Sequence, residues 1–189
     1  MSGCGIPLAT ANMGISPQAI TAWGESAGGH LALFLGTNTS DAGIIGDDGV
    51  TGAGSGVRGV VAWFAPSDFR RLAEHAGAPP GTGADAAGSA ESRLIGAPLR
   101  ESPQLAAYAS PITHVSPASA PAILVHGDAD LAVPYQQSVA YRDALRAAGV
   151  PAELDIVPGA GHGFAGIDQG PLIRECVDFL HDLVSAKPE

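Results

Sequence analysis

Three residues of this chain stand in settings where a side chain can do covalent chemistry: a serine, a carboxylate and an imidazole. Ser26 lies in Gly24-Glu25-Ser26-Ala27-Gly28, after the apolar run Ala19-Ile20-Thr21-Ala22-Trp23 and before the helical-looking run from Gly29 to Leu35. A strand, a tight turn with serine at its apex and a helix is the arrangement that raises a nucleophilic Oγ above a sheet. Gly24 and Gly28 lack a Cβ and are expected to let strand and helix close together, with Ser26 in a strained backbone geometry. The Ala27 N–H, at the start of the helix, is expected to face the negative charge that forms on attack, and Gly24 and Glu25 to lie against the substrate. The plainer reading is a serine capping a helix after a strand. A chain with 26 glycines produces such a five-residue pattern easily.

An acid and a base farther along the chain favour the chemical reading. Pro121 to Val125 is an apolar run of strand length that breaks into the turn Gly127-Asp128-Ala129-Asp130. Ligand chemistry gathers at the carboxyl ends of strands in open parallel sheets, which makes Asp130 the choice for the group that holds the imidazole. Asp128 then bonds backbone N–H groups in the turn, and the reverse assignment stays open. His162 is the base candidate, in Pro158-Gly159-Ala160-Gly161-His162-Gly163-Phe164. Three glycines around one histidine mark a loop, from which an imidazole can reach both a serine and a carboxylate and move a proton near neutral pH. His30, His75, His114, His126 and His181 lack that setting. His30 and His181 fall on predicted helices and His126 ends a strand, so they read as surface or core-edge residues.

The elements that must position these groups alternate between strand and helix. Strands are predicted at 19–23, 57–64, 121–126 and 152–157, and helices from the serine to about 37, at about 135–148 and at about 171–185. Tyr141, Leu145 and Ala148 share one face of the second helix. Ile173, Cys176, Val177, Leu180 and Val184 recur at helical spacing on the third. Alternation of this kind implies an α/β fold, a three-layer sandwich with a mostly parallel sheet of about four strands. Residues 39–56 are a Gly-rich loop. Residues 65–118, rich in Pro, Gly and Ala with short helical patches, are expected to form a cap-like excursion over the site.

The 189 residues suit one domain, 1–189. A formal net charge of −10 disfavours nucleic acid or an anionic membrane as partner. Cys4 and Cys176 are too few for a disulfide framework and lack metal-ligand spacing, although a single bridge stays open. The first 30 residues carry no signal-peptide or membrane-span pattern, which leaves cytoplasm as the default location.

The segments Gly24 to Ala32, His126 to Asp130 with Val133-Pro134, and Gly161-His162-Gly163 together resemble the α/β-hydrolase superfamily. The resemblance runs from about Ile15 to the C-terminus and is nearest to bacterial esterases of the feruloyl and acetyl-xylan esterase type. These adjoin the hormone-sensitive-lipase-like esterases and the prolyl-oligopeptidase-like peptidases. Ala109 to Val115 is similar to a segment common in that group. In the family the nucleophile strand is the fifth of eight, so the resemblance implies an α/β-hydrolase fold reduced to its C-terminal half.

The resemblance also implies a serine hydrolase acting on small-molecule carboxylic esters, with Ser26 as nucleophile, His162 as base, Asp130 as acid, and no metal or organic cofactor. A family oxyanion motif of the His-Gly-Gly type has no counterpart upstream of Gly24. The expectation is therefore a slow catalyst, or one that borrows a donor, and a sheet without its front half implies a shallow acyl pocket that favours short acyl chains. A binding or assembly module that keeps the triad residues is the alternative, and a peptidase a weaker one. Ile20, Ala22 and Trp23 would lie on a bare sheet edge, through which two copies are expected to associate unless residues 1–18 fold back over it.

Overall fold

The computed structural model of the protein describes residues 16, 19–39 and 56–185. Four strands form one sheet, β1 (Ala22–Glu25), β2 (Val60–Trp63), β3 (Ala122–Gly127) and β4 (Ala152–Val157). They pair in the order β1-β2-β3-β4, every neighbour parallel. The long helices are α1 (Ala27–Gly36), α5 (Gln136–Ala147) and α6 (Gly170–Ser185). Between β2 and β3 lie the short helices α2 (Leu72–His75), α3 (Ala90–Ile95) and α4 (Pro103–Tyr108). The expected strand at 19–23 starts and ends later, at Ala22–Glu25. Register explains the shift, because Gly24 and Glu25 pair with Ala62 and Trp63 although neither is apolar.

Side chains alternate across the sheet and so build two cores. Ala22, Val60, Ala62, Ala122, Leu124 and Ala152 pack against Leu33 of α1 and Tyr141 and Leu145 of α5. Val61, Trp63, Ile123 and Val125 face the other way, toward Cys176 of α6, and the Trp63 indole N–H donates to the buried thiol at 3.3 Å. Helices thus cover both faces, as a parallel sheet requires. A third cluster, Phe69, Leu72, Leu99, Ala106 and Val133, lies among the residues that join β2 to β3 and those that follow β3.

Two expectations need correction. On α6 the residues turned to the sheet are Leu172, Cys176, Phe179 and Leu180, whereas Ile173, Val177 and Val184 are exposed. The apolar arc of that helix is wider than the strip in contact with β2 and β3. Gly28 was expected to matter for close packing, yet a Cβ there would meet nothing, while at Gly24 it would collide with the Gly28 carbonyl and at Gly29 with the Ala65 methyl. The Gly-rich loop at 39–56 lies almost entirely outside the described residues, as does Cys4.

The chain leaving β2 is fixed by one side chain. Gln137, fully buried on α5, accepts from the Ser67 and Asp68 backbone N–H groups at 2.8 and 2.7 Å and donates to the Asp68 carbonyl and His75 Nδ1. Ser67 Oγ returns a bond to the Gln137 carbonyl at 2.7 Å. These contacts satisfy the buried polar backbone of a segment that has left the sheet.

Candidate active site

Ser26 sits between sheet and helix with φ 50° and ψ −119°, in the positive-φ region that non-glycine residues rarely enter. Its N–H donates to the Trp63 carbonyl at 2.9 Å, and its carbonyl accepts the His30 N–H at 3.0 Å. One backbone group is therefore tied to β2 and the other to α1, which holds a conformation that costs roughly 1–3 kcal/mol when unsupported. Because Ser26 makes no side-chain cap bond to α1, its Oγ is left for other partners. Ala27 opens α1, and its N–H is among those at a helix start without an intrahelical acceptor.

Asp130 and His162 arrive from the ends of β3 and β4. The turn after β3 wraps the Asp130 carboxylate: Oδ1 accepts the Ala132 and Val133 N–H groups at 2.8 and 2.9 Å. Oδ2 accepts His162 Nδ1–H at 2.7 Å. That bond puts the proton of a neutral imidazole on Nδ1, so Nε2 carries a lone pair, and Ser26 Oγ–H donates to it at 3.0 Å. Serine, imidazole and carboxylate, separated by 136 and 32 residues along the chain, form one line of hydrogen bonds. Asp128 is exposed and its Oδ1 accepts the Gly159 N–H, which joins the turn after β3 to the loop after β4.

The electrostatics follow from this wrapping. Burial alone would raise the Asp130 pKa, but hydrogen bonds from His126, the Val133 N–H, His162 and the Ala132 N–H outweigh it and bring it down to about 2. The carboxylate is ionised at any working pH. The loop that carries His162 bends through Gly159 and Gly163 at positive φ. Packing limits the imidazole instead: the Phe64 ring lies 4.7 Å from it at 64°, and Phe164 stands edge-on to Phe64 at 4.9 Å. Both phenylalanines are buried and both have positive φ, beside the positive-φ serine.

Two histidines expected at the surface or core edge are buried. His30 on α1 stacks on Phe69 at 4.9 Å and lies 2.9 Å, through Nε2–H, from the Ala109 carbonyl. Burial holds its pKa below the usual 6.5, against an opposing pull from the Ala109 bond. His126 is fully buried at the end of β3, its Nε2 3.3 Å from Asp130 Oδ2. Its strand alternates Ala122, Leu124 and His126 on one face, and that period was the available signal. Of the residues expected at the substrate, Glu25 is exposed, whereas Gly24 has a packing reason to be glycine. Among the described residues no group of His, Cys, Asp or Glu is arranged to hold a metal ion, and no helix is long and apolar enough to cross a membrane.

The sequence profile of the BD-FAE family matches residues 8–145. Esterase LipQ of Mycobacterium tuberculosis (strain ATCC 25618 / H37Rv) is 30% identical over 178 residues, which is 90% of this chain and 39% of LipQ. Among solved structures, a truncated carbohydrate esterase from gut microbiota is 27% identical with a TM-score of 0.78, over 96% of this chain and 65% of that one. The bifunctional GH43-CE protein of Bacteroides eggerthii is 28% identical with a TM-score of 0.81, over 95% of this chain and 24% of that one. This chain thus spans well under half of LipQ. With the profile covering more than half of the 189 residues, on a four-stranded parallel sheet whose turn carries Ser26, the chain belongs to the BD-FAE family and has the α/β-hydrolase fold.

Proposed function

We propose that this protein is a serine esterase that cleaves carboxylic esters through an acyl-enzyme. One observation carries the reading: Ser26 Oγ, His162 and Asp130 stand in a continuous hydrogen-bonded line, at 3.0 and 2.7 Å. Ser26 Oγ attacks the ester carbonyl as its proton passes to His162 Nε2, giving a tetrahedral oxyanion and an imidazolium that Asp130 stabilises. Collapse breaks the bond to the alcohol oxygen, which leaves with the proton from His162. Water then attacks the acyl-enzyme, His162 takes its proton, and the acid departs as Ser26 Oγ recovers a hydrogen. The Ala27 N–H is the oxyanion donor from this chain, aided by the start of α1. LipQ and the truncated carbohydrate esterase, both named as esterases, support the reaction class.

Short acyl chains are the proposed substrates, because the buried rings of Phe64 and Phe164 fill the space beside the imidazole. A cavity of about 400 Å³ under Phe69, Leu99 and Pro103 includes none of the three catalytic candidates in its lining. Hydrolysis of p-nitrophenyl acetate, butyrate and octanoate by the protein and by Ser26→Ala tests both statements. Loss of the nucleophile is expected to lower turnover by up to about 10⁶-fold, to the residual rate that oxyanion stabilisation and binding supply without it. Equal rates with both proteins would remove Ser26 from the chemistry, and equal rates on acetate and octanoate would remove the acyl preference.

A further inference from the structure

We propose that His126 is a positioning residue for Asp130, a second imidazole on the same carboxylate oxygen, which holds that oxygen aimed at His162. The inference rests on the serine esterase reading for its consequence, though not for its geometry. Oδ2 of Asp130 lies between His162 Nδ1 at 2.7 Å and His126 Nε2 at 3.3 Å. His126 Nε2 also lies 2.8 Å from the Val133 carbonyl, and a carbonyl can only accept, so the proton is on Nε2. Nδ1 is then an acceptor, and Ser138 Oγ–H on α5 donates to it at 2.7 Å. His126, Asp130 and Ser138 are all buried.

The arrangement closes a ring around the turn after β3. Asp130 Oδ1 is held by the N–H groups of Ala132 and Val133, and the carbonyl of the same Val133 is held by His126. Nε2 of His126 therefore bonds the far end of the turn and at the same time lies 3.3 Å from the carboxylate that the turn carries. Two backbone bonds to Oδ1 still allow the carboxylate to tilt about that oxygen, and the contact from His126 to Oδ2 limits the tilt. Ser138 fixes the tautomer that makes the contact and anchors the ring to a helix rather than to the loop. At metal centres, residues that orient a ligand through another side chain contribute about 10- to 100-fold to activity, and an effect of the same order is expected here.

The test compares His126→Leu, His126→Gln and Ser138→Ala, each also in the Ser26→Ala background. Kinetics are read as kcat and KM on p-nitrophenyl acetate, and the low-field proton resonance of the His162–Asp130 bond is read by NMR. That resonance does not require Ser26, so it reports on His126 even if the protein proves not to be an esterase; inactivity of the unaltered chain would overturn only the functional reading. The expectation is that His126→Leu lowers kcat by about 10- to 100-fold with little change in KM, and shifts or broadens the resonance. His126→Gln, which keeps an N–H donor, recovers part of both, and Ser138→Ala gives a smaller change in the same direction. If His126→Leu does not fold, Ser138→Ala decides. An unchanged resonance in a folded variant, or Leu and Gln variants equally impaired with the resonance intact, would reduce His126 to packing and overturn the proposal.

Discussion

Asp130 owes its place in the site to four donors, and replacing it separates charge from shape. In Asp130→Asn the amide must turn its oxygen either toward the Ala132 and Val133 N–H groups or toward the two imidazoles. If the NH₂ faces His162, two donors meet, and the imidazole is driven to the tautomer with its proton on Nε2. It then cannot accept from Ser26. The expected result is a fall in kcat of about 10⁴-fold with the fold intact, read by ester kinetics alongside circular dichroism. The three residues of the line were legible in the sequence because each follows a strand-like run that breaks at a turn containing glycine. His126 was not, since what distinguishes it is the company it keeps, an Asp130 oxygen and a Ser138 hydroxyl, and no local pattern encodes that.

At the level of elements, the approach of β1 to α1 depends on glycine at one position and not at its neighbour in the motif. A methyl at Gly24 would strike the backbone carbonyl of Gly28, an atom that moves only if the helix moves, whereas one at Gly28 meets nothing. Gly24→Ala is expected to destabilise by about 1–3 kcal/mol and to displace the turn that holds Ser26. Gly28→Ala is expected to stabilise by roughly 0.5–1 kcal/mol, because it removes glycine from a helix at no steric cost. Denaturant midpoints of the two variants check the pair, and a like sign for both would sink it. The spacing Gly-x-Ser-x-Gly treats the two glycines alike; distance separates them. The same limit explains α6, whose apolar period is plain in sequence while the strip that meets Trp63 and Val125 is chosen by the sheet.

For the whole molecule, two histidines whose pKa values folding lowers, buried His30 and half-buried His75, and the carboxylate buried as an ion make stability depend on pH in two stages. Burial lowers the pKa of His30 below its ordinary 6.5, and burial with the nearby Arg71 lowers that of His75. The unfolded chain therefore binds protons that the folded one resists, and stability falls as pH drops below about 6.5 until the folded rings themselves titrate. Asp130 acts lower: with an ordinary value of 3.8 and a folded value of about 2, its contribution is complete above 3.8 and is lost as pH falls toward 2. Urea midpoints measured from pH 8 to pH 2 should decline in both windows. His30→Gln, which keeps an N–H for the Ala109 carbonyl, should flatten the upper one, and no change there would remove His30 as a cause. The parallel pairing of about four strands was readable from the alternation of strand and helix, whereas their order was not. The long-range bonds that seat the residues between β2 and β3 were not, because they join residues some 70 positions apart.

The side chain of Gln137 offers one acceptor to the two successive amides of Ser67 and Asp68 in a buried setting. Those amide hydrogens belong to no helix or strand, yet they can meet solvent only when α5 separates from the chain that leaves β2. In deuterated buffer they should exchange as slowly as the amides of Val61 and Ile123 at the centre of the sheet, and Gln137→Ala should release both together.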